Sequence, residues 1–170
     1  MVGSSWESLW KAPVQVRYYE SMEKEPSVSS QEGALEVDYL DRVRALQLPE
    51  GQYMVCGSAI LELLGVRKAG DIDLLVSPAL FKELEEKRGW VRNAQYPTTL
   101  DTPDHSAGAK QSLDFMKENY TLADLLPNAY IRDGIAFMSL EQLREAKIQL
   151  GREKDVHDLQ LIDKYTSKNS

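Results

Sequence analysis

Residues 54–76 read MVCGSAILELLGVRKAGDIDLLV, and the fold class follows from the order of elements in this stretch. Its first apolar run predicts a short buried strand, and Gly57 and Ser58 are typical of a turn into a helix. The run AILELLGV predicts that helix, and IDLLV predicts a second buried strand. Strands that alternate with helices in this way indicate an α/β sheet covered by helices.

Helices and strands continue to alternate on the C-terminal side. We predict a helix in PALFKELEEKRG, strands in WVRNAQY, KQSLDFM and IAFM, and helices in SLEQLREAKIQL and EKDVHDLQLIDKY, separated by Gly151. The polar segment PTTLDTPDHSAG predicts a loop between the first two of these strands. On the N-terminal side, ALEVDYLDRVRAL predicts an amphipathic helix with Tyr39 and Val43 on its apolar face. We therefore expect one α/β (α+β) domain over residues 34–170.

Residues 1–33 are predicted to form an accessory segment outside that domain. Trp6, Leu9 and Trp10 have the spacing of one helical face, and residues 20–33 are polar with proline and glycine, as in a connector. Because tryptophan is frequent at protein interfaces, this aromatic segment is a candidate contact for a protein partner.

The composition excludes several classes of protein. The formal net charge of −7 argues against broad binding to a nucleic-acid backbone, although it leaves room for a local basic pocket. The one cysteine, Cys56, lies in an apolar run and is expected in the core, and a disulfide framework or a multi-cysteine zinc cluster is excluded. No window resembles a signal peptide or a membrane span, so we expect a cytoplasmic protein without a membrane partner.

Three aspartates are candidate metal ligands. Asp71 and Asp73 occupy positions i and i+2 of a predicted strand, so their carboxylates project from one face, where mutual repulsion favours a bound cation. Magnesium prefers oxygen ligands of this kind. Asp114 lies within the predicted strand SLDFM and would complete a three-carboxylate site beside the other two. The alternative is that the pair caps a helix or faces solvent at the start of a strand, with Asp114 also facing solvent.

Four other residues suit an anionic ligand. Gly57 would let a phosphate approach the backbone, and the Ser58 hydroxyl could donate to it, although serine is also a common helix N-cap. Lys147 shares a helical stripe with leucines and is expected to point inward, where it reaches a phosphate or an aspartate, or else extends out to solvent. Arg67 precedes the second strand and either guides a triphosphate or belongs to an ordinary charged loop.

The order of these residues resembles the signature of the nucleotidyltransferase superfamily related to DNA polymerase β. That signature is a hydrophobic residue followed by Gly-[Gly/Ser], a helix-length spacer, a hydrophobic-flanked Asp-x-[Asp/Glu] and a third flanked carboxylate. Here it reads MVCGSAILELLGVRKAGDIDLLV and then SLDFM. The stretch SLEQLREAKIQLGREKDVHDL is similar to the close of the small stand-alone members related to abortive-infection and antitoxin nucleotidyltransferases.

The resemblance implies a mixed β-sheet flanked by helices that carries a metal-dependent transferase. Such an enzyme moves a nucleoside monophosphate from an NTP to an acceptor hydroxyl and releases pyrophosphate. Asp71, Asp73 and Asp114 would be its catalytic residues and its ligands for Mg²⁺ or Mn²⁺, and Asp114 would also help to deprotonate the acceptor.

The resemblance also implies how the nucleotide is held. Gly57 and Ser58 would cradle its phosphates, Lys147 would offset their charge, and Arg152 and Lys154 would bind phosphate or pair with Asp155 and Asp158. The acceptor stays open between a small molecule, a tRNA and a protein. Two other functions stay open as well: a non-catalytic antitoxin-like or nucleotide-sensing module of the same fold, and a phosphohydrolase that uses the same metals on water.

Overall fold

The computed structural model of the protein describes residues 38–114 and 118–169, which lie in one compact unit. The predicted accessory segment at residues 1–33 lies outside these ranges. Within the described ranges, no helix is long and apolar enough to cross a membrane.

Helices and strands alternate along the described part of the chain. The helices are α1 (Tyr39–Ala45), α2 (Ala59–Leu63), α3 (Pro78–Glu86), α4 (Leu122–Leu125), α5 (Leu140–Leu150) and α6 (Glu153–Lys168). The strands are β1 (Tyr53–Cys56), β2 (Ile72–Val76), β3 (Val91–Arg92), β4 (Thr99–Asp101), β5 (Ala107–Lys110), β6 (Ser112–Leu113), β7 (Tyr120–Thr121), β8 (Tyr130–Arg132) and β9 (Ile135–Phe137).

Seven strands form one mixed sheet in the order β3-β4-β5-β2-β1-β9-β8, and β6 pairs with β7 separately. Strand β1 is antiparallel to β2 and parallel to β9, while β2 is parallel to β5. The prediction of a mixed sheet flanked by helices is therefore confirmed. Because β1 and β2 are antiparallel neighbours, the end of β1 meets the beginning of β2, and Cys56 lies opposite Asp73.

The sheet is buried on both faces at its centre. Ile72 and Leu74 project into the main core, where Tyr39 and Val43 of α1 pack as predicted. Alternate residues of a strand face the other way, and Met54 on that second face is fully buried too. A polar side chain at the centre of this sheet therefore has to find a partner or open into a cleft.

The segment PTTLDTPDHSAG, predicted as a polar loop, contains β4 and the beginning of β5. A tight turn joins these strands, in which Oδ1 of Asp104 accepts hydrogen bonds from the hydroxyls of Thr102 and Ser106, each at 2.8 Å. Polar turn residues dominate the composition of the segment. Strand β4 has only three residues, and β5 contains glycine and alanine in place of an apolar run, so the strand pattern is weak.

The prediction of a single strand over KQSLDFM is wrong. Strand β5 ends at Lys110, and the chain leaves the large sheet before Ser112 and Leu113 pair with β7. Asp114 consequently lies in a turn and is exposed, rather than in the middle of a strand.

Candidate functional site

A cleft of about 600 Å³ opens where β1 ends and β2 begins, between the sheet and helices α5 and α6. Seven of the eight residues singled out from the sequence line it: Gly57, Ser58, Arg67, Asp71, Asp73, Lys147 and Arg152. The remaining candidate, Asp114, is not among the lining residues. The sequence pattern thus converges on one concave surface of the molecule.

The turn after β1 lies directly against an acidic side chain. Gly57 has a φ of 66°, in the left-handed region that glycine adopts without strain. A Cβ atom at this position would lie 2.9 Å from Oδ2 of Asp73. Any other residue would displace the carboxylate, so glycine is what permits both the turn and the position of Asp73.

The Asp73 carboxylate faces the cleft, and no described residue hydrogen-bonds or ion-pairs with it. Although Asp73 is open to solvent on the cleft side, burial by the surrounding atoms raises the pKa of its carboxyl above the ordinary value. Lys110 lowers this pKa and Asp71 raises it, and Lys154 and Arg152 make smaller contributions that lower it. Because the net shift is upward, the cations of the cleft do not fully compensate the charge of Asp73.

Helix α1 fastens the segment that leads into β2. The Tyr39 hydroxyl donates a hydrogen bond to the main-chain oxygen of Asp71 at 3.3 Å, and Nη2 of Arg42 donates to the carbonyl of Gly70 at 2.9 Å. The Arg42 guanidinium also lies 5.2 Å from the centroid of the Tyr39 ring. These contacts engage only the main chain of Asp71, so its carboxylate stays available to the cleft.

Ser58 occupies the N-cap position of α2, but its side chain does not cap the helix. Its Oγ instead accepts a hydrogen bond from Nη2 of Arg67 at 2.8 Å. The same guanidinium donates to both carboxylate oxygens of Asp158, at 2.6 and 2.7 Å. Arg67 therefore connects the turn to α6, and within the described ranges the Ser58 hydroxyl donates to no other residue, so its proton can bond a ligand.

Lys147 is buried on the inner side of α5, as its place among leucines predicts. Its Nζ lies 3.0 Å from Oδ1 of Asp155 and 2.6 Å from Oδ2 of Asp158. The Lys147 side chain is only 7% exposed, and both carboxylates are more deeply buried still. Of the partners considered from the sequence, the structure supplies aspartates, and they match the charge of Lys147 inside the protein.

Arg152 pairs with the same aspartate cluster from the start of α6. Its Nε donates to Oδ2 of Asp155 at 2.6 Å, and its Nη2 donates to Oδ1 at 3.2 Å. Burial alone would raise the pKa of Asp155, but the hydrogen bonds from Arg152 and Lys147 lower this pKa to about 2. Asp155 is therefore a charged centre that ties α6 to α5.

The third predicted carboxylate is not among the residues that line the cleft, although Leu113 beside it is. The parallel register of β2 and β5 places Gly108 opposite Asp73, and Asp114 lies beyond the end of β5 in an exposed turn. Among the residues that the structure describes, no group of three His, Cys, Asp or Glu side chains is arranged to hold a metal. Asp71 and Asp73 are the candidate ligands that the structure brings together.

Two further lysines line the cleft, and only one of them had a role in the sequence pattern: Lys154 was expected, with Arg152, to bind phosphate or pair with an aspartate. Lys110 rises from β5 and Lys154 from the first turn of α6, and both line the cleft. Neither makes a hydrogen bond or an ion pair with a residue in the described ranges. The signal for Lys110 was the alternation in AGAK, which puts it on the same face as Gly108, but that signal requires β5 to be recognised first.

The cleft is cationic although the protein is acidic. Five cationic side chains line it: Arg67, Lys110, Lys147, Arg152 and Lys154. Three acidic side chains line it with them, Asp71, Asp73 and Asp158, and Asp155 pairs with Lys147 and Arg152 from outside the lining, so the positive excess, five cations against four carboxylates, is one charge. A local positive excess on a chain with a net charge of −7 favours an anionic ligand at this place.

No family model, curated protein or solved structure matches this chain. Its function has to be argued from the chemistry of the cleft.

Asp71 and Asp73 fit a site for a divalent cation. Magnesium in proteins is commonly held by one or two carboxylates, and water and substrate phosphates complete its coordination. Neither carboxylate has a hydrogen-bond donor among the described residues, and burial raises the pKa of the Asp73 carboxyl. A divalent ion would compensate the charge of the pair without a third protein carboxylate.

Proposed function

We propose that the cleft binds a nucleoside triphosphate together with Mg²⁺ or Mn²⁺ and transfers its nucleoside monophosphate to an acceptor hydroxyl. The observation that carries this proposal is the contact between the left-handed turn at Gly57 and the Asp73 carboxylate. A phosphate that approaches the bare turn would also lie beside the acidic pair, so one bound ligand would engage both features.

Each residue of the turn has a distinct task in this proposal. Gly57 presents main chain without a Cβ, which allows a phosphate to come close. Ser58 donates its free hydroxyl proton to the phosphate, and Arg67 holds the Ser58 oxygen in place from behind. Asp71 and Asp73 would hold the divalent ion, whose chemistry is to neutralise the charge that develops on the phosphates.

In the reaction, the acceptor oxygen forms a bond to the α-phosphorus while the bond from that phosphorus to the bridging oxygen breaks. Pyrophosphate leaves, and the acceptor's proton passes to solvent or to a nearby base. Asp114 has no part in this proposal because it does not line the cleft. The acceptor is a small molecule, a tRNA or a protein, and the single buried cysteine suits a cytoplasmic setting.

One observation favours a second candidate, a nucleotide-binding module without turnover. The cleft holds two of the three predicted carboxylates, and the charges of Arg67 and Lys147 are matched by Asp158 and its neighbour Asp155. Such a module would keep the phosphate site and act through a partner.

The test is an assay with four labelled NTPs, each with Mg²⁺ or Mn²⁺, scored for pyrophosphate, orthophosphate and labelling of the protein. We expect pyrophosphate from the parent and a loss of at least about 100-fold in Asp71→Asn/Asp73→Asn, because the ion-binding charges are removed. The matched control is Glu83→Gln/Glu86→Gln, which removes two exposed charges on α3 away from the cleft.

The products separate the candidates. Orthophosphate alone would identify a phosphohydrolase. Nucleotide binding without any product would favour the binding module. Undiminished pyrophosphate release from the double aspartate variant would contradict the transferase proposal.

A further inference from the structure

We infer that Lys110 and Lys154 are the residues that bind the phosphate groups of the ligand. The other three cations of the cleft, Arg67, Lys147 and Arg152, hold its walls together instead. This inference rests on the proposed function, since it takes the anion to be the polyphosphate chain of an NTP.

The donors of Arg67 and Lys147 are occupied within the protein. Arg67 makes four hydrogen bonds, to Asp158 twice, to Ser58, and through Nη1 to the main-chain oxygen of Lys68 at 2.7 Å. Lys147 contacts two buried carboxylates and is only 7% exposed. A phosphate could recruit either cation only by leaving a buried aspartate without its partner, and an uncompensated buried charge is strongly destabilising.

Arg152 is less enclosed, but its charge is also matched. Its side chain is 50% exposed and it forms a two-point pair with Asp155, whose carboxylate is fully buried. Moving the guanidinium toward a ligand would break that pair. Arg152 can add to the positive electrostatic potential of the cleft without donating hydrogen bonds to the phosphate.

Lys110 has the opposite properties. It lies on β5 between β2 and β4, with Leu75 and Thr99 as its register partners, so its main chain is fixed within the sheet. It shares a face with Gly108, the residue opposite Asp73, and therefore rises beside the acidic pair. Its half-buried ammonium has no hydrogen bond or ion pair with the described residues. A partly desolvated ammonium group without an ionic partner is strongly stabilised when an anion binds beside it.

Lys154 faces the same space from the other wall. It lies in the first turn of α6, is exposed, and has no hydrogen bond or ion pair within the described part of the chain. Lys110, Lys154 and Asp73 all line the same cleft, and both lysines lower the pKa of the Asp73 carboxyl. Two flexible point charges on opposite walls suit a chain of phosphates better than a single flat carboxylate, which arginine would bind in a two-point fashion.

The test compares Lys110→Gln/Lys154→Gln with the control Lys82→Gln/Lys164→Gln, which removes the same charge from exposed positions of α3 and α6 outside the cleft. Binding of inorganic triphosphate and of each NTP, both with Mg²⁺, is measured by calorimetry. We expect the cleft variant to bind both probes at least about tenfold more weakly than the parent, since charged hydrogen bonds are lost, and the control to change less than about twofold. The single variant Lys110→Arg, with Lys154 unchanged, should keep most of the affinity for both probes, because it keeps the positive charge.

The outcomes distinguish this inference from the proposed function. If the parent releases pyrophosphate and the cleft variant binds both probes as tightly as the parent does, the assignment of the two lysines is wrong and the transferase proposal is supported. If triphosphate binding depends on the lysines but no NTP is turned over, the assignment stands and the transferase falls. If the parent binds neither probe, both fall. An unchanged melting temperature of the cleft variant shows that weaker binding does not come from misfolding.

Discussion

Asp73 carries a charge that the apo fold only partly compensates. Burial and Asp71 raise its pKa, so ionisation of this carboxyl at neutral pH is less favourable in the folded state than in the unfolded chain. A raised folded pKa means that stability is full below the unfolded pKa, near 4, and is lost as the pH rises through the folded pKa. We therefore expect Asp73→Asn to melt roughly 1 to 3 °C higher than the parent at pH 7.5 without divalent ions.

The measurement is thermal melting of the parent and Asp73→Asn from pH 3 to pH 8, with Glu83→Gln as the control. The difference between parent and variant should shrink toward zero at the acid end, where the parent carboxyl is protonated. A variant that melts lower than the parent at neutral pH would mean that Asp73 stabilises the fold as a cap or an ion-pair partner.

Gly57 and Gly65 form a natural matched pair. Both have positive φ, 66° and 68°, but a Cβ at Gly57 would meet Asp73 whereas nothing lies within 4 Å of one at Gly65. Alanine at either position should cost about 1 to 2 kcal/mol of unfolding free energy through left-handed strain. Only Gly57→Ala should also reduce NTP binding and pyrophosphate release, because it displaces the carboxylate. Urea unfolding measures the loss of stability, and the product assay measures the loss of activity. An equal loss of activity in Gly57→Ala and Gly65→Ala would contradict a specific role for the contact between Gly57 and Asp73.

At the residue scale, periodicity predicts which side chains share a face but not which partner each one meets. The inward direction of Lys147 follows from the leucine stripe of its helix alone. That its partners are Asp155 and Asp158 depends on how two helices pack, which no local pattern contains. Asp114 shows the reverse error: its apolar neighbours indicate a strand, but the position of the residue depends on where that strand ends.

Helices α5 and α6 behave as one element because a cluster of charges joins them. Gly151 takes a left-handed conformation with a φ of 58°, and its N–H donates to the Lys147 carbonyl at 3.0 Å, which ends α5 and turns the chain. The turn brings Asp155 to Lys147 and Arg152. Asp155→Asn leaves these cations without their shared carboxylate, so we expect a loss of about 3 kcal/mol at pH 7.

The contribution of Asp155 to the free energy of unfolding depends on pH with the opposite sign to that of Asp73. Hydrogen bonds hold the folded pKa of Asp155 at about 2, so its contribution to stability is present above the unfolded pKa, near 4, and is lost as the pH falls toward 2. Urea unfolding at pH 7 and pH 2.5 measures this. The gap between parent and Asp155→Asn should narrow in acid, and the control Asp163→Asn, which breaks the exposed pair with Arg144, should change stability little at either pH. A gap of equal size at both pH values would contradict the ionic role of Asp155.

At the element scale, prediction succeeded where capping and periodicity agree. Ser139 and Gln142 form a capping box at the start of α5, and Gly151 ends it, so the helix is specified at both ends by its own residues. Strands β4 and β5 lack such signals because they contain only three and four residues, and β5 consists mostly of alanine and glycine. Their pairing beside β2 depends on neighbours that are distant in the sequence.

For the whole molecule, the distribution of charge matters more than its sum. The net charge of −7 disfavours long nucleic acid, yet the cleft presents more cations than carboxylates. A field of this kind draws a small polyphosphate into one place while the rest of the surface repels extended polyanions. In the proposed transferase, this arrangement would suit a free nucleotide as the ligand.

The order of strands in the large sheet has a consequence for how the protein emerges from the ribosome. Strand β1 lies between β2, which follows it closely in the chain, and β9, whose Phe137 pairs with Val55 only after some eighty further residues have been added. Until then the strand YMVC, whose side chains are apolar, has one edge with unpaired main-chain N–H and C=O groups. Strand edges of this kind pair with other chains. We therefore expect the nascent protein to be prone to aggregation until the segment around Ile135 has been translated.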